Sequence, residues 1–571
     1  MNSSDLTGRP IVCLLLLTGS LFAQTSVYTQ HNDIGRTGQN LTETILTPAN
    51  VSGGNFGKLY STNLDGRAFA QPLYVSSVSI GSVKHSVLYV ATEHDSVYAL
   101  DANANGAVLW KASLFDSAHG AAAGAIPDPE GDTGCGDIDG AEYGVTGTPV
   151  IDPTSGTLYV VSTTYEGTYP VQRLHALDIA SGAEKFGGPA TISASVAGSG
   201  NGSVNGVVSF DAKWDNQRPG LLLLNGTVYM AWGSHCDSGP WHGWVMGYSA
   251  ASGALRQTFV FLTTPNGAAS GVWMSGAGLA ADDHGPNGTP RMFVPTGNGS
   301  FDSNADWGES VLNLNLSGGT PRVTDSFTPN TQASLTTGDI DLGSAGTLVL
   351  PDQPGPHPHL AVQLSKAGTM YLLNRDHLGG YDTSTDQSLQ EFAFGAYPYG
   401  LWGIPAYFNG NIYFWGGDST MMQYSLTNGV LSTSPIYAGS QTERGGQGGY
   451  YQGTFFGATP SISANGANDG IVWAVDWVRD QGNPIQYVYA YAATNVSTTL
   501  WSSAQNPARD GAGGSQKFAV PTVADGKVLV ASDSQMQVYG LLPAKNAQFT
   551  LSAFQPVLGL CRAPRPARKS A

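Results

Sequence analysis

Short apolar strand patterns recur along this chain in a fixed order, and the recurrence predicts the fold. Eight times a strand, a Gly or Asn turn, a second strand and a third strand follow one another, with a spacing of about 50 to 70 residues. The eight second strands are predicted at Val87–Ala91, Thr157–Val161, Thr227–Ala231, Arg291–Val294, His359–Val362, Asn411–Trp415, Ile471–Val475 and Lys527–Ala531. Strand repeats without helical patterns between them are typical of radial β-propellers, in which each unit buries its apolar face against its neighbours.

The same pattern predicts how the ring closes. Units continue after the third strand into an outer strand, seen best at Val108–Ala112, but the last unit has none. An unpaired strand pattern, Gly57–Leu64, precedes the first unit. Because an open edge would leave backbone donors and acceptors unpaired, we predict that this strand completes the eighth blade. The predicted fold class is therefore all-β, a single eight-bladed β-propeller of four-stranded antiparallel blades over residues 57–543; a pair of stacked sandwiches is the alternative.

Composition suits such a ring and narrows the range of partners. The chain has 75 glycines and only 12% charged residues, which is expected of many strands joined by tight turns. It has 25 basic and 42 acidic residues, giving a net charge of −17. A phosphate-neutralising surface is therefore not expected, and we discount nucleic acid as a partner.

The two ends of the chain have separate patterns. In residues 1–23, Arg9 precedes an apolar run from Ile11 to Phe22, which predicts a secretory signal peptide and is too short for a membrane span. We therefore expect an exported protein, periplasmic or extracellular, with no membrane span. Residues 24–56 are predicted to form an N-terminal arm, and the basic, proline-containing tail 544–571 is expected to be disordered.

Two cysteines are candidates for a disulfide. Cys135 and Cys236 lie in loops of comparable position around adjacent units. In an oxidising compartment this favours a bridge between them, and the alternative is two free buried thiols.

Polar loop residues are concentrated in one stretch of the repeat. Propellers bind ligands where loops from the blades converge on the axis, so these residues are candidates for a site. The stretch contains Gly271-Val272-Trp273, then Thr296-Gly297-Asn298-Gly299-Ser300, then a segment from Gly338 to Ser344, then Ser365 to Arg375. In order and spacing it resembles the quinoprotein alcohol dehydrogenases, eight-bladed propellers that hold pyrroloquinoline quinone and a calcium ion on the axis. The repeat theme, as in Tyr98 to Trp110, resembles the same family over about residues 57–542.

The resemblance implies a role for four residues. Trp273 would stack on the planar quinone, and Asn298 would give its carbonyl oxygen to calcium. Asp341 would bind calcium and act as the base that takes the proton of the substrate hydroxyl, while hydride leaves for the quinone. Lys366 would donate hydrogen bonds to the quinone. The substrate would be a small alcohol or sugar.

The chain departs from the family pattern at three places. The family has a glutamate ligand for calcium where this chain reads Gly233-Ser234-His235-Cys236-Asp237, so Asp237 would substitute with a shorter side chain. The family's two adjacent cysteines are Gly134 and Cys135 in this chain, so that vicinal ring cannot form. No Cys-x-x-Cys-His is present, so no covalent haem is expected.

Each site residue also has a purely structural interpretation. Trp273 could fill a gap between blades, Asn298 could be a left-handed turn residue, Asp341 could bond neighbouring amides, and Lys366 could be solvated. Two functions therefore remain open from the sequence. One is a quinone- and calcium-dependent dehydrogenase, and the alternative is a non-catalytic propeller that binds a protein or a glycan.

Overall fold

Small antiparallel sheets arranged radially make up the computed structural model, which has the predicted eight-bladed propeller fold. The structure describes residues 25–136, 140–249, 253–285, 288–316, 321–395, 400–417, 419–442, 457–480 and 483–543. The predicted signal peptide and C-terminal tail lie outside the described residues. Within the described part, no helix is both long and apolar enough to cross a membrane.

The strands of each blade follow one another from the axis outward as an inner, a second, a third and an outer strand. Blade 1 consists of Leu73–Ile80, Val83–Thr92, Ser96–Asp101 and Ala107–Ser113; blade 2 of Val150–Asp152, Thr157–Glu166, Tyr169–Asp178 and Ala190–Thr191; blade 3 of Leu222–Leu224, Thr227–Ser234, Trp244–Ser249 and Arg256–Leu262; blade 4 of Ala280–Asp282, Arg291–Pro295, Val311–Asn315 and Val323–Thr328. Blade 5 consists of Leu348–Val349, Leu360–Leu364, Thr369–Asn374 and Gln390–Ala393; blade 6 of Ala406–Phe408, Asn411–Trp415, Thr420–Thr427 and Tyr437–Thr442; blade 7 of Ser461–Asn465, Asn468–Asp480, Asn483–Ala492 and Asn495–Ser502; blade 8 of Thr522–Ala524, Lys527–Ala531 and Gln535–Leu541.

The ring closes as the sequence predicts. Strand Phe56–Asn63 pairs antiparallel with Gln535–Leu541, with Phe56 opposite Leu541 and Asn63 opposite Gln535. It begins one residue before the predicted boundary and supplies the outer strand that blade 8 lacks. The first and last parts of the ring are thereby held in one sheet.

The second strands contain a central apolar run because both faces of that run are buried between neighbouring blades. In blade 1, all residues from Val87 to Ala91 are at most 2% exposed. A strand buried on both faces needs a continuous apolar run, and each fully buried Val or Leu side chain contributes about 1.5 to 3 kcal/mol. Large side chains fill the remaining space, among them the fully buried Trp232, Trp244, Trp415 and Trp473.

Short strands and helices are added to the four-stranded blades. Blade 4 carries an added parallel strand, Gly380–Tyr381, and blade 7 an added parallel strand, Gln39–Asn40. Other short strands are Ile126–Pro129, Glu142–Tyr143, Ser195–Ala197, Val207–Ser209, Asp215–Asn216 and Val430–Leu431. Short α-helices span Pro48–Ser52, Glu130–Thr133, Gln332–Gly338 and Pro507–Asp510, and 3-10 turns span Ser117–His119, Leu342–Ser344 and Ser503–Gln505.

The N-terminal arm runs through the centre of the ring. Residues 27–40 form hydrogen bonds with the inner strand, or the residue before it, of every blade. The partners in blades 1 to 8 are Tyr74, Ile151, Leu221, Ala281, Val349, Tyr407, Ile462 and Val523, at 2.7 to 3.1 Å. The arm therefore crosses the axial channel and ties the eight blades together.

Arg36 is the central residue of the arm. It is completely buried, and its guanidinium donates to Thr29 Oγ1 at 2.7 Å and to the carbonyl oxygens of Gln30, Leu221 and Leu279 at 2.7, 3.1 and 2.8 Å. Burial lowers the pKa of Arg36 to about 10, so it remains charged at neutral pH. These bonds satisfy carbonyl groups that would otherwise be buried without donors.

Candidate functional site

All the residues proposed for the site lie at one end of the ring. Asp237, Asn298 and Lys366 follow the second strands of blades 3, 4 and 5, and Trp273 and Asp341 precede the inner strands of blades 4 and 5. Inner and second strands are antiparallel, so each second strand ends at the end of the ring where the inner strands begin. The loops that follow second strands therefore lie beside the loops that lead into inner strands.

Asp341 lies at the centre of this group. Its Oδ1 accepts a hydrogen bond from the backbone N–H of Asn298 at 2.9 Å, and its Oδ2 lies 3.1 Å from Nζ of Lys366. The Lys366 ammonium also lies 3.2 Å from Oδ2 of Asp339. Asp341 therefore joins loops of different blades, and its contacts are not those of a local turn.

The lysine of this group is mostly buried. Only 12% of the Lys366 side chain is exposed, and its Nζ lies 6.0 Å from the ring centroid of Trp402. Burial disfavours its charged form, but the charges of Asp341 and Asp339 outweigh burial and raise the pKa of Lys366 above its ordinary value. The ammonium is therefore held charged, and it is not a solvated turn lysine.

Asp237 and Asn298 lie beside this ion pair. Asp237 is exposed at the mouth of the ring, although its carboxylate is partly shielded from water by the surrounding loops. That shielding and the charges of Asp341 and Asp339 raise the pKa of Asp237 to about 7, while a hydrogen bond from the Asn298 side chain lowers it. The Oδ1 of Asn298 is buried and accepts no hydrogen bond, and the φ of Asn298 is not in the left-handed region.

Trp273 lies in a cradle of glycines. A Cβ atom on Gly233, Gly271 or Gly297 would lie 2.9, 3.0 or 2.8 Å from an atom of the Trp273 ring. Real Cβ atoms essentially never lie within 3.0 Å of another atom, and a Cβ on Gly271 would also lie 2.8 Å from the Trp241 ring, so a side chain at any of these positions would displace its neighbours. The ring is half-buried and meets Trp241 with centroids 5.6 Å apart at an angle of 64°.

Besides Lys366, the site contains a second positively charged side chain, Arg218, which lies over the ring of Trp273. The guanidinium carbon of Arg218 lies 5.7 Å from the ring centroid of Trp273 and 5.2 Å from that of Phe518. Sequence reasoning missed Arg218 because it belongs to no recognisable motif. Its position just before the inner strand of blade 3, equivalent to that of Trp273 and Asp341 in their blades, was the available signal.

Hydrogen bonds hold the site loops against one another. The N–H of Gly297 donates to the carbonyl of Gly271 at 2.9 Å, and that of Met274 donates to Gly343 at 3.2 Å. The N–H of Gly343 in turn donates to Thr296 at 3.0 Å. The loops that carry Trp273, Asn298 and Asp341 therefore form one connected unit.

A disulfide joins Cys135 and Cys236, with Cα atoms 5.8 Å apart. It links the loop before blade 2 to the residue directly before Asp237. His235 packs beside it against Tyr143, with ring centroids 4.2 Å apart. The segment that leads into Asp237 is thus anchored at two successive residues.

The acidic loop between blades 1 and 2 does not form a metal centre in the described residues. Asp132 pairs with Lys213 at 3.1 Å and Glu142 with His94 at 2.7 Å. Asp128 is only 1% exposed, and Asp137 and Asp139 lie outside the described residues. In the part of the chain that the structure describes, no group of three or more His, Cys, Asp or Glu side chains is arranged to hold a metal ion. A cation at the axial site would therefore need an amide oxygen such as that of Asn298.

No family model and no curated protein matches the sequence. Solved structures do match the fold. Quinohemoprotein alcohol dehydrogenase from Comamonas testosteroni is similar with a TM-score of 0.58 and 14% identity, covering 92% of this chain and 82% of that chain. Quinohemoprotein alcohol dehydrogenase ADHIIG from Pseudomonas putida HK5 is similar with a TM-score of 0.55 and 16% identity, covering 95% of this chain and 82% of that chain. A europium-containing methanol dehydrogenase is similar with a TM-score of 0.52 and 13% identity, covering 90% of this chain and 98% of that chain. The fold thus resembles that of the quinoprotein alcohol dehydrogenases, and at these identities the likeness concerns the fold alone.

Proposed function

We propose that this protein is an exported dehydrogenase that oxidises alcohols or sugars with pyrroloquinoline quinone and a bound cation at the axial site. The observation that carries the proposal is the convergence of Asp341, Lys366, Asn298 and Asp237 from three blades on one end of the ring. Trp273 lies in the same connected set of loops.

The donor set fits a hard cation. Asp237 and Asp341 bring carboxylates, and Asn298 brings a buried amide oxygen that accepts no hydrogen bond. Calcium and similar cations prefer such oxygen ligands. A cation at this position would also offset the mutual repulsion that raises the pKa of Asp237, because it favours the ionised carboxylate.

The surroundings of Trp273 fit a flat ligand. The three glycines let the neighbouring loops pack against part of its ring, and because the ring is only half-buried, the rest is accessible to a flat ligand. Lys366 and Arg218 would offer positive charge to the carboxylates of the quinone. Since the Arg218 guanidinium lies over the Trp273 ring, a ligand stacked on that face requires Arg218 to move.

In the proposed reaction, a bound quinone would supply the hydride acceptor, and a cation held by Asp237, Asn298 and Asp341 would supply a Lewis acid. Asp341 accepts the proton of the substrate hydroxyl while the carbon loses hydride, and the product is a carbonyl compound. The Lys366 ammonium, 3.1 Å from Oδ2 of Asp341, orients the carboxylate before the proton transfer. The N–H of Asn298 fixes the other carboxylate oxygen.

Export is part of the proposal. The predicted signal peptide is one support, and the bridge between Cys135 and Cys236 is another, because disulfides persist in oxidising compartments. This chain lacks the vicinal cysteine ring, and the Cys135–Cys236 bridge would fix the position of Asp237 instead.

The experiment is a thermal melt combined with a dye-linked alcohol oxidation assay. Purified protein is mixed with the quinone and either calcium or europium(III), the latter because one structural neighbour contains europium. At a hundred times Kd, binding should stabilise the fold by about 2.7 kcal/mol and raise the melting temperature. No shift at saturating cofactor and no dye reduction with any alcohol or sugar would refute the proposal and favour the non-catalytic propeller.

A further inference from the structure

Glu309 connects the two loops that carry Asn298 and Asp341. It lies between the second and third strands of blade 4 and is completely buried. Its backbone N–H donates to the carbonyl oxygen of Gly297 at 2.9 Å, and its Oε2 accepts from the N–H of Leu342 at 2.6 Å. Gly297 directly precedes Asn298, and Leu342 directly follows Asp341.

These bonds close a ring of contacts. The N–H of Asn298 donates to Oδ1 of Asp341 and the N–H of Gly343 donates to the carbonyl of Thr296, so the two loops meet through their own residues and also through Glu309. Removing the Glu309 side chain would open this ring at Leu342. The bonds from Asn298 to Asp341 and from Gly343 to Thr296 would then be left to hold the two loops together.

The backbone conformation of Glu309 indicates that the surrounding structure fixes the position of this residue. Its φ is 52°, in the left-handed region that a residue with a long side chain rarely adopts. Such a conformation costs on the order of 1 kcal/mol and persists where the surroundings dictate it. At this position it allows the N–H and the carboxylate of one residue to reach two different loops.

The carboxyl group of Glu309 is influenced by the charged groups of the site. Oε1 of Glu309 is buried and accepts no hydrogen bond, and Asp341 and Lys366 are the charged groups nearest in effect. Burial and the charge of Asp341 raise the pKa of Glu309 well above its usual range. A neutral Glu309 retains its acceptor for Leu342, so the connection does not depend on its charge.

We propose that Glu309 is a positioning residue of the axial site: it fixes Asn298 and Asp341 at the spacing that cation binding requires. This inference rests on the proposed function for its consequence, but the connection between the loops can be measured without any cofactor. Glu309 belongs to none of the motifs recognised in the sequence.

The test compares Glu309→Ala, which removes the acceptor for Leu342, with Glu309→Gln, which keeps an acceptor of the same size. Glu43 is a matched control, because it is also buried and its carboxylate accepts the N–H groups of Ile45, Leu46 and Gly526 away from the site. Glu43→Ala reports the general cost of removing a buried glutamate that binds backbone. Urea unfolding shows that each variant is folded before comparison.

The first measurement is amide hydrogen exchange of the cofactor-free protein. In Glu309→Ala we expect faster exchange in peptides that cover 297–299 and 341–344, and in Glu309→Gln and Glu43→Ala we expect wild-type exchange there. Wild-type exchange in Glu309→Ala would overturn the inference, whatever the protein's function.

The second measurement is calcium affinity, by calorimetric titration of protein that is saturated with pyrroloquinoline quinone. Glu309→Ala should weaken calcium binding by about 10-fold or more, as for other residues that orient metal ligands, and Glu309→Gln by less than about 3-fold. Equal losses in the two variants would assign the effect to charge and overturn a positioning role. If the wild-type protein binds neither calcium nor europium(III), the proposed function fails, and altered exchange would still support the connection between the loops.

Discussion

Asp341 is the residue on which the proposed chemistry depends most. The sequence identified it only through a resemblance, because an Asp-Ile-Asp segment in a loop is compatible with many roles. The structure shows bonds to Asn298 and Lys366 that lie 43 and 25 residues away along the chain. Such contacts depend on how blades stack around the axis, which a single sequence does not show.

We predict that Asp341→Asn reduces dye-linked oxidation by at least about 10²-fold, because it removes the base. The asparagine keeps an acceptor for the N–H of Asn298, so the fold should remain. Asp339→Asn is the control, since Asp339 also contacts Lys366 but its side chain is 51% exposed. Similar losses in both variants would contradict a special role for Asp341.

Asp128 provides a separate test through pH. Burial and the neighbouring Asp132 raise the pKa of Asp128 to about 7, and neither of its oxygens has a hydrogen-bond partner. The folded state therefore binds a proton more tightly than the unfolded state, whose Asp pKa is about 3.9. Stability is highest below the unfolded pKa and falls as pH rises through the interval from about 4 to about 7.

Asp128→Asn should remove this part of the pH dependence. About three pKa units correspond to at most roughly 4 kcal/mol of unfolding free energy between pH 4 and pH 8. Urea unfolding of both proteins at the two pH values measures it, with the exposed Asp469→Asn as a control that should follow the wild type. Equal pH profiles for wild type and Asp128→Asn would mean that Asp128 is ionised normally.

Among the elements, the strands were predictable, and so was an N-terminal arm, but the path of that arm through the ring was not. Two of the second strands, Asn411–Trp415 and Lys527–Ala531, have the predicted boundaries, because continuous apolar runs between turn residues are a direct signal. The arm has few apolar residues and no strand periodicity. Its role comes from hydrogen bonds of its backbone and of Arg36 to groups that are distant in sequence.

We predict that Arg36→Met lowers the free energy of unfolding by at least about 3 kcal/mol, because several buried acceptors lose their donors. Arg36→Lys should give an intermediate loss, since an ammonium lacks the planar fork of the guanidinium. Arg256→Met, at an exposed position in the outer strand of blade 3, should be nearly neutral. Urea unfolding measures all three, and a neutral Arg36→Met would contradict a stapling role for the arm.

At the scale of the whole molecule, two parts of the N-terminal segment keep the ring of blades closed. The arm binds the inner strands, and Phe56–Asn63 completes blade 8. The sequence predicted the second of these parts, because one blade lacked a strand and one strand lacked a blade. It could not predict how the loops at the end of the ring combine, since that depends on the geometry between blades.

A protein that begins at residue 66 should expose the edge strand Gln535–Leu541 and associate, because an unpaired edge recruits other strands. Light scattering would detect larger species, and a synthetic peptide of residues 25–63 added during refolding should reduce them. A monomeric, stable truncated protein would contradict the closure argument.

The central claim is that the axial loops hold a cation and a quinone, and fold similarity alone does not decide it. The most direct measurement is an anomalous difference map from crystals grown with europium(III) and pyrroloquinoline quinone. The account predicts one strong peak bounded by Asp237, Asn298 and Asp341, with planar density over Trp273. A map without a peak among these three residues, from crystals in which the protein is fully ordered, would contradict it.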